Sequence, residues 1–160
     1  MFESFAHTWA GEFLATFFIS MIPVAELRVG LPYGIASGLP YPLALIAAVA
    51  GNMLPVPFIV VYIQRVFRWL RLHIPRMDSF ITGMEEKADT KGETVKRVGP
   101  LGLLLFVAIP LPGTGAWTGA LVATLLDIRI QVALPCILIG VLIAGGVTLG
   151  VASGIIHLWG

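Results

Sequence analysis

The sequence predicts an all-α integral membrane protein made of two inverted repeats, each a re-entrant helical hairpin followed by a transmembrane helix. Three observations predict this class: an apolar composition, long uncharged stretches broken by proline and glycine, and an internal match between the two halves of the chain. Of the 160 residues, 58% are hydrophobic and 12% are charged, and the mean hydropathy is +0.93. The charged share is about half that of an average soluble domain. A soluble fold of this size cannot bury so much apolar surface, so the composition excludes a disordered chain, a collagen and an ordinary soluble enzyme.

The uncharged stretches set the lengths of the predicted helices. Residues 13–25 are the uncharged stretch that precedes Glu26, and as a helix they reach only about 20 Å. The hydrocarbon core of a bilayer is about 30 Å thick and needs about 20 apolar residues to cross. Leu43–Ile63 and Ile130–Leu158 satisfy that requirement and are the two predicted spans.

The other two apolar blocks are broken by residues that end helices. The first block contains Pro23, Gly30, Pro32, Gly34, Gly38, Pro40 and Pro42, and the second contains Pro110, Pro112, Gly113 and Gly115. On either side of the second break, residues 101–109 and 116–126 are each about half a membrane thick as helix. A break at mid-membrane must be covered by protein or trapped water. We therefore expect re-entrant hairpins, with four kinked full spans as the alternative.

The chain also matches itself at a fixed spacing. Gly30 and Gly119 are 89 residues apart, and the same spacing relates Phe17 to Phe106, Pro23 to Pro112, Leu45 to Leu134 and Gly51 to Gly140. This predicts a single membrane domain (1–160) with repeat one at 10–63, an amphipathic linker at 64–98 and repeat two at 99–158. A hairpin plus one crossing traverses the membrane an odd number of times, so the second repeat would be inverted. Inverted repeats place a substrate site near the midplane, where broken helix ends meet.

The basic residues predict the orientation. Eight of the ten Lys and Arg residues lie between Arg65 and Arg97, which makes this loop cytoplasmic by the positive-inside rule. Both termini would then be outside a cell (inner) membrane that the chain crosses more than once, whereas four full spans would put both termini in the cytoplasm. Residues 1–27 contain no Lys or Arg, so no signal peptide is expected. Met77–Val98 is predicted as a solvated linker helix without chemistry.

Glu26 and Arg28 are the strongest functional signal, because ionisable residues at membrane depth are costly and usually functional. On a helix, side chains two residues apart do not face each other, so we expect an unwound stretch in which both point the same way. A buried glutamate can exchange a proton near neutrality, and an arginine can bind a phosphate or carboxylate bidentately. A dominant Glu26 favours a cationic drug and a dominant Arg28 favours a lipid phosphate. The alternative is a pair of interfacial anchors.

The break at Pro110–Gly119 is the second candidate site, because a half-helix starting at Ala116 would direct free N–H groups at an anion. Its alternative is a plain turn with Trp117 packed against lipid. The candidate residues for binding substrate or a proton are Glu26, Arg28, Pro32, Asn52, Pro112, Gly113, Thr114, Trp117 and Thr118. The candidates for a gate or for headgroup binding are Asp127, Arg129, Arg65 and Arg68, and for the last two the alternative is plain topology anchoring.

Other classes of function find no support in the sequence. No Walker A motif and no zinc-ligand spacing occurs, so we expect no metal, no cofactor and no enzyme activity. The lone Cys136 excludes an internal disulfide, and a net charge of +1 argues against a nucleic-acid partner. The expected partners are membrane lipids and a small amphipathic substrate, and glycines four residues apart favour close helix packing and a homodimer.

Two motifs carry a family resemblance. At residues 26–34 (ELRVGLPYG) and 110–119 (PLPGTGAWTG) the chain resembles the small multi-drug export proteins. That family is distantly similar to the DedA (VTT-domain) membrane proteins, which implies inverted repeats with re-entrant hairpins and movement of lipids such as undecaprenyl phosphate. The resemblance implies a functional acid in the first hairpin, which Glu26 matches. It also implies arginines in the second half, where this chain has none between Arg97 and Arg129.

The expected function is therefore translocation of an amphipathic lipid or drug-like substrate, coupled to protons. The alternative is a membrane scaffold or assembly factor that transports nothing. A water-filled cavity around Glu26 and Arg28 favours the transporter, and dry packing favours the scaffold.

Overall fold

Helices form almost all of the described chain. The structure is a computed structural model that describes the backbone of residues 2–91, 93–109, 111 and 113–159; the side chains of 2–8, 77, 80, 84, 87–91, 93, 94, 96 and 155–159 lie outside that description. Within these limits a 3₁₀ turn lies at Pro75–Met77 and no residue is in a strand. The helices are α1 (Phe2–Met21), α2 (Glu26–Ala36), α3 (Tyr41–Met53), α4 (Pro55–His73), α5 (Asp78–Lys91), α6 (Glu93–Val98), α7 (Pro100–Ala108), α8 (Ala116–Leu125) and α9 (Ile130–Trp159).

Among the described residues, two helical stretches are long and apolar enough to cross a membrane by length and composition. The first is Tyr41–His73, because α3 continues into α4 through Leu54, which keeps helical angles (φ −57°, ψ −46°). The assigned helix is interrupted there because Pro55 and Pro57 have no N–H to donate to the preceding turn. The second stretch is Ile130–Gly154. These stretches contain most of the predicted spans, but α4 runs on to His73, so the expected repeat boundary at residue 63 falls inside a helix.

Two pairs of shorter helices precede these long ones. The first helix pair is α1 and α2, and the second helix pair is α7 and α8. Because α7 has 9 residues and α8 has 10, they are only about 14 and 15 Å long, half of a bilayer core. In the part of α1 whose side chains are described, Trp9–Met21 is an apolar helix.

Small residues allow the first helix pair to pack closely. Gly30 of α2 lies against Ser20 of α1, and Gly34 lies against Thr16, so the two helices run antiparallel. A Cβ at Gly30 would lie 1.8 Å from the Ser20 hydroxyl oxygen. The Thr16 and Ser20 hydroxyls are buried and have no hydrogen-bond partner.

The two halves use glycine in the same way at their long helices. A Cβ added to Gly51 of α3 would lie 2.1 Å from the carbonyl oxygen of Phe17 in α1. A Cβ added to Gly140 of α9 would lie 2.9 Å from the carbonyl oxygen of Leu104 in α7. Gly51 and Gly140 are 89 residues apart.

Backbone irregularities recur at the same spacing. Glu26 (φ +48°) and Gly115 (φ +155°) are 89 residues apart, and so are Gly38 (φ +91°) and Asp127 (φ +53°). The hydrogen bonds that end α2 and α8 also correspond. Leu39 N–H donates to the Gly34 carbonyl at 3.0 Å, and Ile128 N–H, 89 residues later, donates to the Ala123 carbonyl at 2.9 Å.

The linker is less solvated than its sequence predicts. Ile81 of α5 and Val95 of α6 are each 1% exposed, so both helices bury an apolar residue. Of the charged residues whose side chains are described here, Asp78 and Glu85 form ion pairs with Arg71 of α4. The predicted solvated linker helix is therefore two helices, each of which packs one apolar residue against the rest of the protein.

Candidate functional site

Glu26 lies at the first residue of α2 and contacts the start of α8. Its left-handed backbone (φ +48°) is unusual for a residue with a side chain. The side chain is 6% exposed, and its Oε1 accepts a hydrogen bond from the backbone N–H of Trp117 at 3.2 Å. The first turn of a helix has unpaired N–H groups and partial positive charge, which stabilise a carboxylate. The Glu26 carboxyl group of the first helix pair therefore occupies the anion-binding position at the N-terminus of α8.

Gly115 makes this approach sterically allowed. A Cβ at residue 115 would lie 1.8 Å from Oε2 of Glu26, and the backbone φ of +155° is itself unfavourable for other residues. Only glycine fits between the Glu26 carboxylate and the start of α8.

Arg28 binds the turn that precedes α8. Its guanidinium group donates to the carbonyl oxygens of Leu111 and Thr114, and Nη2 donates to the Thr114 hydroxyl at 2.8 Å. That hydroxyl also lies 2.8 Å from the Ile109 carbonyl oxygen, to which it can donate. Arg28 thus stabilises the turn by donating hydrogen bonds to two carbonyl oxygens that lie between α7 and α8.

The predicted unwound stretch at residues 26–28 is wrong, because α2 begins at Glu26. Among the described residues, Glu26 and Arg28 form no ion pair with each other. They bind two different parts of the second helix pair, the start of α8 and the turn before it.

Trp117 connects the same region to α1. Its indole Nε1 donates to the carbonyl oxygen of Met21, the last residue of α1, at 3.2 Å. The ring is half-buried: its Nε1 contacts the end of α1, and part of the ring remains exposed at the surface.

Asn52 faces a small cavity at the centre of the site. The side chain is 2% exposed, and its Oδ1 has no hydrogen-bond partner. The cavity has a volume of about 10 Å³ and is also lined by Glu26 and Arg28. That is about the smallest space that holds one water molecule.

An apolar groove begins at Arg28. It lies between α2 and α9 and has a volume of about 380 Å³. Its wall includes Pro32, Ile35, Ala36, Thr148 and Val151. A charged group at the end of an apolar groove matches the head and chain of an amphiphile.

The remaining predicted residues lie elsewhere or are not placed. Pro112 lies outside the described residues, Gly113 is exposed, and Thr118 is half-buried. The four residues predicted to form a gate or bind headgroups are all exposed, and within the described part of the chain none of them bonds to Glu26, Arg28 or their partners: Asp127, Arg129, Arg65 and Arg68. Asp127 belongs to the end of α8, and the Arg65 guanidinium lies 5.9 Å from the centre of the Tyr62 ring.

Two contributing residues were absent from the predicted set. Gly115 is part of the Pro110–Gly119 motif, but its closeness to Glu26 depends on a contact between distant segments. Gln64 donates to the Thr124 carbonyl at 2.9 Å and ties α4 to α8. In the sequence, Gln64 is marked only by its position as the last residue of the uncharged stretch 29–64.

No cluster of three or more His, Cys, Asp or Glu residues that would hold a metal occurs in the described part of the chain. Glu26 and Arg28 of the first helix pair instead bind polar groups of the second pair.

The helical fold, its two apolar spans and the charges at its centre define a helical membrane protein. A family model described as "Putative small multi-drug export protein" matches residues 26–147. The match covers more than half of the chain, so the protein belongs to this family. No curated protein and no solved structure matches the chain.

Proposed function

We propose that the protein is a secondary transporter that moves an amphipathic lipid or drug-like substrate across the cell (inner) membrane, coupled to protons and without enzymatic chemistry. One observation carries this proposal. A buried glutamate and an arginine of one broken helix pair bind the break of the other pair. In inverted-repeat transporters, substrate and coupling ions bind where broken helices meet.

The proposed architecture is two inverted repeats with re-entrant hairpins. Its support is the 89-residue spacing that relates Gly51 to Gly140 in packing and Gly38 to Asp127 in a left-handed backbone. The half-membrane lengths of α7 and α8 also favour a hairpin that returns to its own side. In this proposal the 65–97 loop is cytoplasmic and both termini are outside.

The proposed substrate site is the groove between α2 and α9. An amphiphile would place its chain along Pro32 and Ile35 and its polar head at Arg28. Arg28 is bound to Leu111 and Thr114 in this conformation, so loading a headgroup requires the two helix pairs to separate.

Glu26 is the proposed proton carrier. As a carboxylate it binds the N-terminus of α8, and protonation removes the charge that this N-terminus attracts. Burial favours the neutral form of the carboxyl group. Proton binding would therefore loosen the contact between the helix pairs and coincide with opening. A cationic drug would compete with the proton for Glu26, whereas a lipid phosphate, the substrate implied by the DedA resemblance, would bind at Arg28.

The test is transport in proteoliposomes with and without a pH gradient. The probes are ethidium, a cationic amphiphile, and a fluorescent short-chain phosphatidylglycerol. We expect the gradient to accelerate one of them in the wild-type protein. Glu26→Gln should remove the response to pH while the protein still folds, because only the ionisable proton is lost. Glu12→Gln, at a carboxyl that accepts a 3.3 Å hydrogen bond from Tyr33, is the matched control and should keep it.

Arg28→Lys tests the headgroup role. Lysine keeps the charge but loses the planar fork that binds a phosphate and two carbonyls. We expect transport of the anionic probe to fall about tenfold. Arg97→Lys, an exposed position on α6, should leave transport unchanged. Wild-type transport in both Glu26→Gln and Arg28→Lys would remove these charges from the mechanism.

The second candidate is a membrane scaffold or assembly factor. The observation that favours it is the small cavity beside Glu26, whose volume of about 10 Å³ leaves no room for a substrate. A scaffold would show no gradient-dependent flux of either probe, and its Glu26→Gln variant would lose partner or homodimer association instead.

A further inference from the structure

A second cavity lies away from Glu26 and Arg28, between α4, α5 and α8. Its volume is about 430 Å³, within the range of small-molecule sites. Most of its wall is apolar and comes from Ile63, Phe67, Leu72, Leu121 and Leu125.

The polar groups in the wall are mostly occupied by one another. Arg71 forms ion pairs with Asp78 at 3.1 Å and with Glu85 at 2.6 Å. The Gln64 amide donates to the Thr124 carbonyl. Glu85, the carboxylate in the described wall, is thus held by Arg71, which it shares with Asp78.

Arg68 is the exception. It lines the cavity, and within the described chain it has no ion-pair partner. The carbonyls at the end of α8, which would repel an anion, are capped: Val122, Ala123 and Thr124 accept N–H bonds from Leu126, Ile128 and Asp127. The cavity therefore presents one arginine outside the Arg71 ion pairs, Arg68, beside its apolar residues.

This cavity corresponds to the groove at Arg28. Three groove residues have counterparts 89 positions later in the cavity wall: Pro32 and Leu121, Ile35 and Thr124, Ala36 and Leu125. Each space combines apolar residues with arginine, Arg28 in the groove and Arg68 and Arg71 in the cavity, although these arginines are not at equivalent positions.

We propose that the cavity at Arg68 binds an amphiphile with a single anionic headgroup. The headgroup pairs with the Arg68 guanidinium, and the chain lies against Phe67, Leu121 and Leu125. This goes beyond the proposed function, because such a molecule can bind here whether or not the protein transports it.

The experiment is native mass spectrometry of the full chain in a nonionic detergent. The probes are dioctanoyl phosphatidylglycerol and dioctanoyl phosphatidylcholine, which share chains and differ in net charge. We expect the wild-type protein to retain the anionic lipid preferentially. Arg68→Gln should weaken its retention about tenfold. Arg68→Lys should retain most of it, and Arg97→Gln, the same charge change on the exposed part of α6, should have no effect.

Two results would overturn the proposal. Equal retention of the two lipids, or equal losses in Arg68→Gln and Arg97→Gln, would show nonspecific adsorption to the basic linker. Competition by inorganic phosphate at the concentration of the lipid would show a bare anion site with no use for the apolar wall. Because Arg68 is exposed, its substitution should leave the fold intact, which the thermal midpoint of each variant checks.

Discussion

Glu26 occupies, within the protein, the position that an external anion was expected to take at the start of α8. An anionic substrate would have to compete with this carboxylate, whereas a proton would release it. The residue types here are predictable, because Glu26 and Arg28 are isolated charges in an apolar block. Their partners are not, because Trp117 is 91 residues further along the chain and the contact depends on how two helix pairs pack.

Gly115→Ala should disrupt the contact between Glu26 and α8. The added Cβ would lie 1.8 Å from Oε2 of Glu26 at a backbone φ of +155°. We expect the free energy of unfolding to fall by about 2–4 kcal/mol. Gly146→Ala, where nothing lies within 4 Å, is the control for thermal unfolding in detergent. Equal midpoints for the two variants would contradict the contact.

Thr114→Val should loosen the turn that Arg28 binds. The hydroxyl accepts from Arg28 at 2.8 Å and can donate to the Ile109 carbonyl, and valine provides neither bond. We expect a loss of about 1–3 kcal/mol in the free energy of unfolding. Thr114→Ser should recover most of it. A serine variant as unstable as the valine variant would show that the methyl group, and not the hydroxyl, matters.

The helix α2 shows where helix breakers mislead. Pro32 and two glycines favour an unwound segment, yet Glu26–Ala36 is helical. Gly30 and Gly34 are needed there for close contact with Ser20 and Thr16, so packing explains them better than chain breaking. The starts of the long helices were predictable to within two residues from length and hydropathy, whereas the first of them runs ten residues past the predicted end at Ile63.

Gly51→Ala and Gly140→Ala should both weaken the packing of a long helix on a short one. The nearest backbone atoms to the added Cβ are the Phe17 carbonyl oxygen at 2.1 Å and the Leu104 carbonyl oxygen at 2.9 Å. We expect each to lower the free energy of unfolding by about 1–3 kcal/mol, with Gly51→Ala the larger because the approach is closer. Gly150→Ala, with open space around it, should be silent. The thermal midpoints would refute equivalent packing if only one of the two were affected.

Across the whole molecule, the sequence match between the two halves is weak. The structure adds correspondences in backbone conformation that the residue types do not reveal. Gly38 and Asp127 share a left-handed backbone although their side chains have nothing in common. Such a pair has no sequence signal, because the constraint is on φ and two different residue types meet it. The orientation of the repeats relative to a membrane is the central claim that rests on this correspondence.

Labelling of single cysteines tests that claim most directly. Pro42 and Gln131 are both exposed, 89 residues apart, at the second residue of α3 and of α9. With Cys136 replaced by serine, Pro42→Cys and Gln131→Cys are exposed to a membrane-impermeant maleimide on intact cells and on permeabilised ones. Inverted repeats with re-entrant hairpins predict that residue 42 is labelled from outside and residue 131 only after permeabilisation. Labelling of both from outside would mean four full spans and would contradict the proposed architecture.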